Sequence, residues 1–161
     1  MEGIVGNRLR IEGVGGRFDH SIGCEGGASL VVVRCQVSGS RTKILGDGTY
    51  VELFQCELSG SKGDGLCVYD GASVMVDGGS IHDSAGTGVV VDGTAARVKL
   101  KGVTVEANGA FGFDSGVGAV ANLANCQVRG NKKGDYVTFK DGLMSARGKI
   151  EGVDKNLIRN E

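Results

Sequence analysis

The sequence contains no proline and no tryptophan, and its aromatic residues are limited to three Tyr and five Phe. Its formal net charge is −1, so it lacks the basic excess of nucleic-acid-binding proteins. It also has no run of about 18 apolar residues, the length that a membrane-spanning helix needs. Hydrophobic residues still make up 40% of the chain, which excludes disorder as its main state. The 161 residues suit one folded domain, and neither nucleic acid nor a membrane is expected as a partner.

Glycine is the residue in clear excess, at 30 of 161 positions. Because glycine adopts positive φ angles without steric cost, this excess indicates a fold with frequent tight turns. Collagen would need glycine at every third position, which the sequence does not show. Frequent turns at regular intervals are typical of repeat proteins.

The segment Val33–Ser40, VRCQVSGS, has counterparts along most of the chain. The third residues of its five copies are Cys35, Cys56, Gly79, Val103 and Cys126. Their intervals are 21, 23, 24 and 23 residues. A period near 22–23 residues over five copies indicates a solenoid, in which each repeat buries its apolar face against its neighbours.

Apolar and polar residues alternate within each repeat, which predicts short strands. Two columns of the first strand are apolar: Leu30, Val51, Val74, Val98 and Ala121, then Val32, Leu53, Val76, Leu100 and Leu123. The column between them is mostly polar: Val31, Glu52, Met75, Lys99 and Asn122. A second strand starts at the Cys35 column, and a third, looser strand follows it. The pattern predicts an all-β fold, a single-stranded right-handed parallel β-helix of about six to seven rungs.

The repeats resemble those of the right-handed parallel β-helix family, the pectin-lyase-like superfamily, with carbohydrate-binding-and-sugar-hydrolase type repeats. The resemblance is carried by CQVSGS at 35–40, GDGLCVYDGA at 63–72 and GTGVVVDG at 86–93. It implies the fold but leaves the function open, because one fold hosts many activities. The lyases, epimerases and hydrolases of this superfamily act on polysaccharides.

The whole chain, 1–161, is expected to form a single β-helix domain. Residues 1–26 would be an irregular first rung or N-terminal cap, 27–150 the regular rungs, and 151–161 a C-terminal cap or tail. Both caps are weak, and open β-helix ends expose unpaired strand edges. End-to-end homo-oligomers are therefore expected as one outcome, and a fragment of a longer protein as another.

Two polar columns lie at the predicted turns. The first is expected to be a structural turn ladder: Ser40, Ser61, Ser84, Asn108 and Asn131. The second is acidic and is the candidate ligand- or cation-binding site: Asp47, Asp70, Asp92, Asp114 and Asp141. Four of these aspartates precede glycine, which favours plain Asp-Gly turns. Stacked like charges repel, so calcium or a protein or glycan partner is the alternative interpretation.

The five cysteines are predicted to be free, because their number is odd and three of them fall on one inward column. No Cys-x-x-Cys pair occurs, so no structural zinc or other metal site is assigned. Free thiols, with no signal sequence at the N-terminus, favour a cytoplasmic location.

No catalytic residue is assigned. The Asp-Pro-His-Asp motif of related alginate epimerases needs proline, and Asn-Thr-Asp, a hydrolase-type motif, does not occur. His82-Asp83 and Asp19-His20 are expected on different rungs, too far apart for one acid–base pair. The favoured hypothesis is a non-catalytic binding or scaffold module that presents a ladder surface to a protein or polysaccharide partner. The alternatives are a small polysaccharide-active lyase, epimerase or hydrolase that uses the acidic column, and a self-assembling structural protein.

Overall fold

A computed structural model describes residues 8–18, 22–138 and 143–147. Every regular element in these ranges is a β-strand. The strands are β1 (Arg8–Phe18), β2 (Gly23–Cys24), β3 (Ser29–Ser38), β4 (Thr42–Leu45), β5 (Tyr50–Ser59), β6 (Leu66–Tyr69), β7 (Ser73–His82), β8 (Val89–Asp92), β9 (Arg97–Lys101), β10 (Thr104–Glu106), β11 (Phe111–Ser115), β12 (Val120–Ala124), β13 (Gln127–Arg129), β14 (Gly134–Thr138) and β15 (Leu143–Arg147). Within the described ranges, no helix has the length and apolar character needed to cross a bilayer.

The strands form two sheets in which each strand pairs in parallel with its equivalent one turn later. The main path of the first sheet is β1-β3-β5-β7-β9-β12-β15, and β10 joins it beside β7 and β13. The second sheet has the order β14-β11-β8-β6-β4-β2. Hydrogen-bonded side chains in successive turns are 21 to 24 residues apart. The prediction of an all-β parallel β-helix is confirmed.

The chain turns a corner inside the first sheet through a residue with positive φ. Arg34 (52°), Gln55 (51°) and Gly78 (70°) occupy this corner in β3, β5 and β7. These strands remain continuous there, so the first two predicted strands form one bent strand in three of the turns. We name the stretch before the corner side 1 (29–33 and its equivalents), the stretch after it side 2 (35–38 and its equivalents), and the second sheet side 3.

The core lies between the three sides and consists of the inward columns. The two apolar columns of side 1 are buried throughout, and side 2 contributes Val37, Leu58, Ile81, Val105 and Val128. Cys35, Cys56 and Cys126 are buried among them. Full burial of each Val, Leu or Ile side chain contributes roughly 1.5–3 kcal/mol, which no single turn could gain alone.

The Ser/Asn column lies at the corner between sides 2 and 3, and most of it is buried. Asn108 is 1% exposed, and its Oδ1 accepts a hydrogen bond from the Ser84 N–H at 3.1 Å. The Oδ1 of Asn131 accepts one from the Asn108 N–H at 3.1 Å and one from Asn108 Nδ2 at 2.9 Å. Asn108 and Asn131 thus satisfy buried backbone groups of successive turns, whereas Ser84 Oγ has no hydrogen-bond partner among the described residues.

The first strand is paired over most of its length. Arg8–Glu12 pair with Ser29–Val33, and Gly16–Phe18 pair with Cys35–Val37, with a register shift between Glu12 and Gly16. The irregularity expected for residues 1–26 therefore includes a shift in register within β1. The expected C-terminal cap, 151–161, lies outside the described residues.

Candidate functional site

The outer face of side 1 carries apolar, acidic and basic side chains. Its members hold outward register positions that alternate with core residues along each strand, although Val31 of β3 is itself buried. They are Ser29, Val31, Val33, Tyr50, Glu52, Phe54, Ser73, Met75, Asp77, Arg97, Lys99, Lys101, Val120, Asn122 and Ala124.

The first half of this face, on β3, β5 and β7, is named the apolar half because it presents Val33, Tyr50, Phe54 and Met75, although it also carries the carboxylates of Glu52 and Asp77. Tyr50 is 40% exposed, and Val33, Phe54 and Met75 are partly exposed. Val33 pairs in register with Phe54 on the neighbouring strand, so the two outward side chains are cross-strand neighbours. The Tyr50 hydroxyl donates a hydrogen bond to Glu52 Oε1 at 3.1 Å. Tyrosine, with an apolar ring and a polar hydroxyl group, is common in binding sites.

The second half of the face is basic. Arg97, Lys99 and Lys101 are exposed and alternate along β9 with buried Val98 and Leu100. Lys101 Nζ forms an ion pair with Asp77 Oδ2 at 3.0 Å. Arg97 and Lys99 form no ion pair with any carboxylate in the described part of the chain. Two uncompensated positive charges therefore lie beside the apolar half.

The strand neighbours of Arg97 and Lys99 carry no charge that could pair with these two cations. Arg97 lies between Ser73 and Val120 in the register of the sheet, and Lys99 lies between Met75 and Asn122. These four neighbours are uncharged and partly buried. The guanidinium and ammonium groups are thus free to bind an anion supplied from outside.

The four described aspartates of the acidic column lie at or near the corner between sides 3 and 1, but at different register positions. Leu45, Tyr69 and Asp92 are level with one another in the second sheet. Asp47 and Asp70 lie two residues and one residue beyond this level, whereas Asp114 is level with Val90, two residues before it. Equivalent positions in the side-3 strands are 23 to 24 residues apart, whereas successive aspartates are 22 to 23 residues apart. The aspartates therefore do not form one stacked column. Asp141 lies outside the described residues.

Three of these aspartates lie against a glycine of the next turn. A Cβ atom added at Gly71 would overlap Asp47 Oδ1, and one added at Gly116 would overlap Asp92 Oδ1. One added at Gly93 would lie 2.6 Å from Asp70 Oδ1. Asp92 Oδ1 also accepts a hydrogen bond from the Gly93 N–H at 2.8 Å. Gly71 has a φ of +78°, as turns after aspartate commonly do. These contacts give Asp47 and Asp92 a local structural role.

Asp114 differs from Asp92, the last residue of β8, because it lies inside a side-3 strand, level with Val90. Partial burial raises the pKa of its carboxyl group, and the nearby charges of Asp92 and Asp64 raise it further. Its Oδ1 atom is buried and has no hydrogen-bond partner among the described residues. Asp64 is compensated, since it contacts Arg41 at 3.5 Å and accepts a hydrogen bond from the Thr87 N–H at 2.9 Å. No group of three or more His, Cys, Asp or Glu in the described ranges is arranged to hold a metal ion.

Cys67 is the cysteine that lies on an outward register position. It shares that position with Lys43 and Val90, yet it is fully buried, and it is not part of the central cluster. Burial raises the pKa of its thiol to about 11, although a hydrogen bond with Tyr69 acts in the opposite direction. Lys43 Nζ lies 5.9 Å from the centre of the Tyr69 ring. The thiol is therefore protected and protonated at neutral pH.

His82 lies on the outer face of side 2 between two carboxylates. Its Nδ1 is 2.7 Å from Asp83 Oδ2, and its Nε2 is 3.4 Å from Glu57 Oε1. Both ring nitrogens thus face carboxylates of the chain itself. His20, the other histidine, lies outside the described residues.

Parallel ladders, three-sided turns and inward apolar columns define the chain as a β-helix solenoid. A family model described as "Right handed beta helix region" matches residues 7–149. The chain therefore belongs to the right-handed β-helix family. A search of curated proteins and a search of solved structures found no match.

The basic strand on side 1 was not among the residues singled out by sequence. The alternation Arg97-x-Lys99-x-Lys101 was its signal, because outward positions of one strand share a charge. Only the strand register shows that these charges adjoin Met75 and the apolar half of the face.

Proposed function

We propose that this chain is a non-catalytic β-helix binding module whose outer face of side 1 binds a protein or glycan partner. The observation that carries the proposal is the pair of exposed charges on Arg97 and Lys99, which have no ion-pair partner among the described residues and lie next to the apolar half. An anionic partner would complete the ion pairs and would cover the apolar half at the same time.

The architecture favours binding by a rigid surface. Each strand of side 1 is hydrogen-bonded to equivalent strands in adjacent turns, from β1 to β15. Side chains on such a face are held at fixed spacings before a partner arrives, which lowers the entropic cost of association. The face consists of short strands without long insertions between turns, which suits a flat partner better than an enclosed substrate.

The polysaccharide-active alternative has one specific observation in its favour. The pKa of Asp114 is raised and this residue lies near Asp92, and many glycosidases use two carboxyl groups, one of which has a raised pKa. Robust cleavage of a polyuronide that is lost in Asp92→Asn and Asp114→Asn would establish this alternative. Calcium bound by the aspartates belongs to the same alternative and is tested in the same assay, with and without chelator.

The binding proposal is tested with paired charge reversals. Arg97→Glu/Lys99→Glu changes side 1, whereas Lys132→Glu/Lys133→Glu makes the same change in net charge at exposed lysines elsewhere. Wild type and both variants are applied to a glycan array and to a display library of short peptides. The proposal requires ligands that bind wild type and the Lys132/Lys133 variant but not the Arg97/Lys99 variant. The proposal would be overturned if ligand binding fell equally in both variants, or if neither variant changed ligand binding.

Self-assembly and location remain proposals of the same kind. Sedimentation at increasing concentration tests end-to-end association, and a strictly monomeric species would contradict it. A cytoplasmic location is supported by the five buried, free cysteines, which a reducing compartment would preserve.

A further inference from the structure

We infer that the partner of side 1 is an acidic polypeptide segment in extended conformation, with carboxylates at alternate positions that pair with Arg97 and Lys99. This inference rests on the proposed binding function and names the chemistry of the partner.

The spacing of the charges supports an extended peptide. Arg97 and Lys99 are two residues apart on β9, so their Cα atoms are about 6.6 Å apart and both side chains point outward. An extended peptide carries its alternate side chains on one face with the same repeat. Glu or Asp at positions i and i+2 of such a segment can therefore face both cations in one straight alignment.

Lys101, the third cation of β9, limits how many acidic residues of the peptide can pair with this strand. Lys101 is held by Asp77 at 3.0 Å, so a third acidic residue would have to displace an existing ion pair. Two acidic anchors are thus expected, rather than a long acidic run. Arg97 offers a planar fork for a bidentate carboxylate, and Lys99 offers a point charge.

The surroundings of the two cations favour apolar residues next to the acidic anchors. Met75 and Val120 adjoin the basic strand, and Phe54 and Tyr50 continue the same face. Covering these side chains would remove water from the ion pairs and strengthen them relative to exposed pairs. An acidic-x-acidic segment with apolar flanks therefore fits better than a uniformly acidic tail.

Two fluorescent peptides of identical composition test the register. One has two glutamates at alternate positions with valine flanks, and its isomer has the glutamates adjacent, so that an extended chain places them on opposite faces. Anisotropy with wild-type protein at about 0.15 M salt should give about tenfold tighter binding of the alternate peptide. Arg97→Glu/Lys99→Glu should lose this preference, and Lys132→Glu/Lys133→Glu should keep it.

A charge-swapped peptide and an anionic oligosaccharide distinguish failure of the peptide inference from failure of the binding proposal. Arg97→Glu/Lys99→Glu should bind a peptide with lysines in place of the alternate glutamates. Equal affinity for the two isomers would overturn the inference. If an anionic oligosaccharide binds through Arg97 and Lys99 while neither peptide does, the binding module stands but its peptide partner is wrong. If neither ligand class depends on this pair, both proposals fail.

Discussion

Asp114 is the residue whose surroundings most directly oppose its charge. It lies on side 3, partly buried, with Asp92 and Asp64 nearby and one buried oxygen without a described hydrogen-bond partner. Its pKa is raised in the folded state, first by burial and then by these two carboxylates. Folding therefore favours the neutral form of Asp114. Its contribution to the free energy of unfolding is fully present below the unfolded-state pKa and is lost as the pH rises through the folded-state pKa.

Asp114→Asn should therefore become stabilising relative to wild type as the pH rises through the folded-state pKa of Asp114, because the wild-type carboxyl group then ionises in an unfavourable site. Because the group is only partly buried, solvent screening keeps the gain below about 1 kcal/mol, or roughly 2 °C in Tm. Thermal unfolding from pH 3 to 8 measures it, and the difference from wild type should vanish at the acidic end. Asp47→Asn, at an exposed turn, is the control and should give no such gain. A destabilised Asp114→Asn at pH 7 would mean that the carboxylate has a binding partner.

The turn between β6 and β7 shows how one element depends on its neighbour. Gly71 has a φ of +78°, and Asp47 of the preceding turn occupies the space where a side chain would lie. Gly71→Ala should therefore cost about 1–2 kcal/mol or more in unfolding free energy, from backbone strain and from overlap. Adding Asp47→Ala should recover the overlap part, which a double-mutant cycle in urea isolates.

Gly23→Ala is the matched control for this turn. Nothing lies within 4 Å of the position that its Cβ would take, and its φ is not in the left-handed region. Its cost should stay within about 0.5 kcal/mol. Equal costs at Gly23 and Gly71, or no coupling between Gly71 and Asp47, would contradict the contact.

The elements themselves differ in how well sequence predicts them. Alternation predicted the inward columns of side 1, such as Val32 and Leu53, because burial imposes a period of two that is independent of the turns. The aspartates were harder, because their register depends on the residues in each intervening turn, and Asp114 falls level with Val90 rather than Asp92. Arg34 and Gln55 gave no signal of a shared corner, since a left-handed residue outside glycine has no single chemical signature. The basic face needed the strand register as well as the charge pattern.

At the scale of the whole molecule, stability comes from contacts between adjacent turns. In side 1, Val51 is level with Val74 on the next turn, and Glu52 is level with Met75. Each turn repeats the same inward and outward positions, so a complete turn should be removable without changing which residues face the core. An incomplete turn should not be, because a shift of one residue moves every side chain of a strand to the opposite face.

Deletion of residues 52–74 tests this property, because it joins Val51 directly to Met75 and keeps the alternation. The shortened chain should show a β-sheet circular dichroism spectrum and cooperative unfolding, with a Tm below that of wild type because one interface between turns is lost. Deletion of residues 52–73 is the control, since it places Val74 on the outer face and Met75 and Asp77 on inward positions. It should fail to unfold cooperatively or should aggregate. Similar stability of the two deletions would show that the register of side 1 does not determine the fold. A stable 52–74 deletion would still contain Arg97 and Lys99 on an intact strand and could be used in the binding assays.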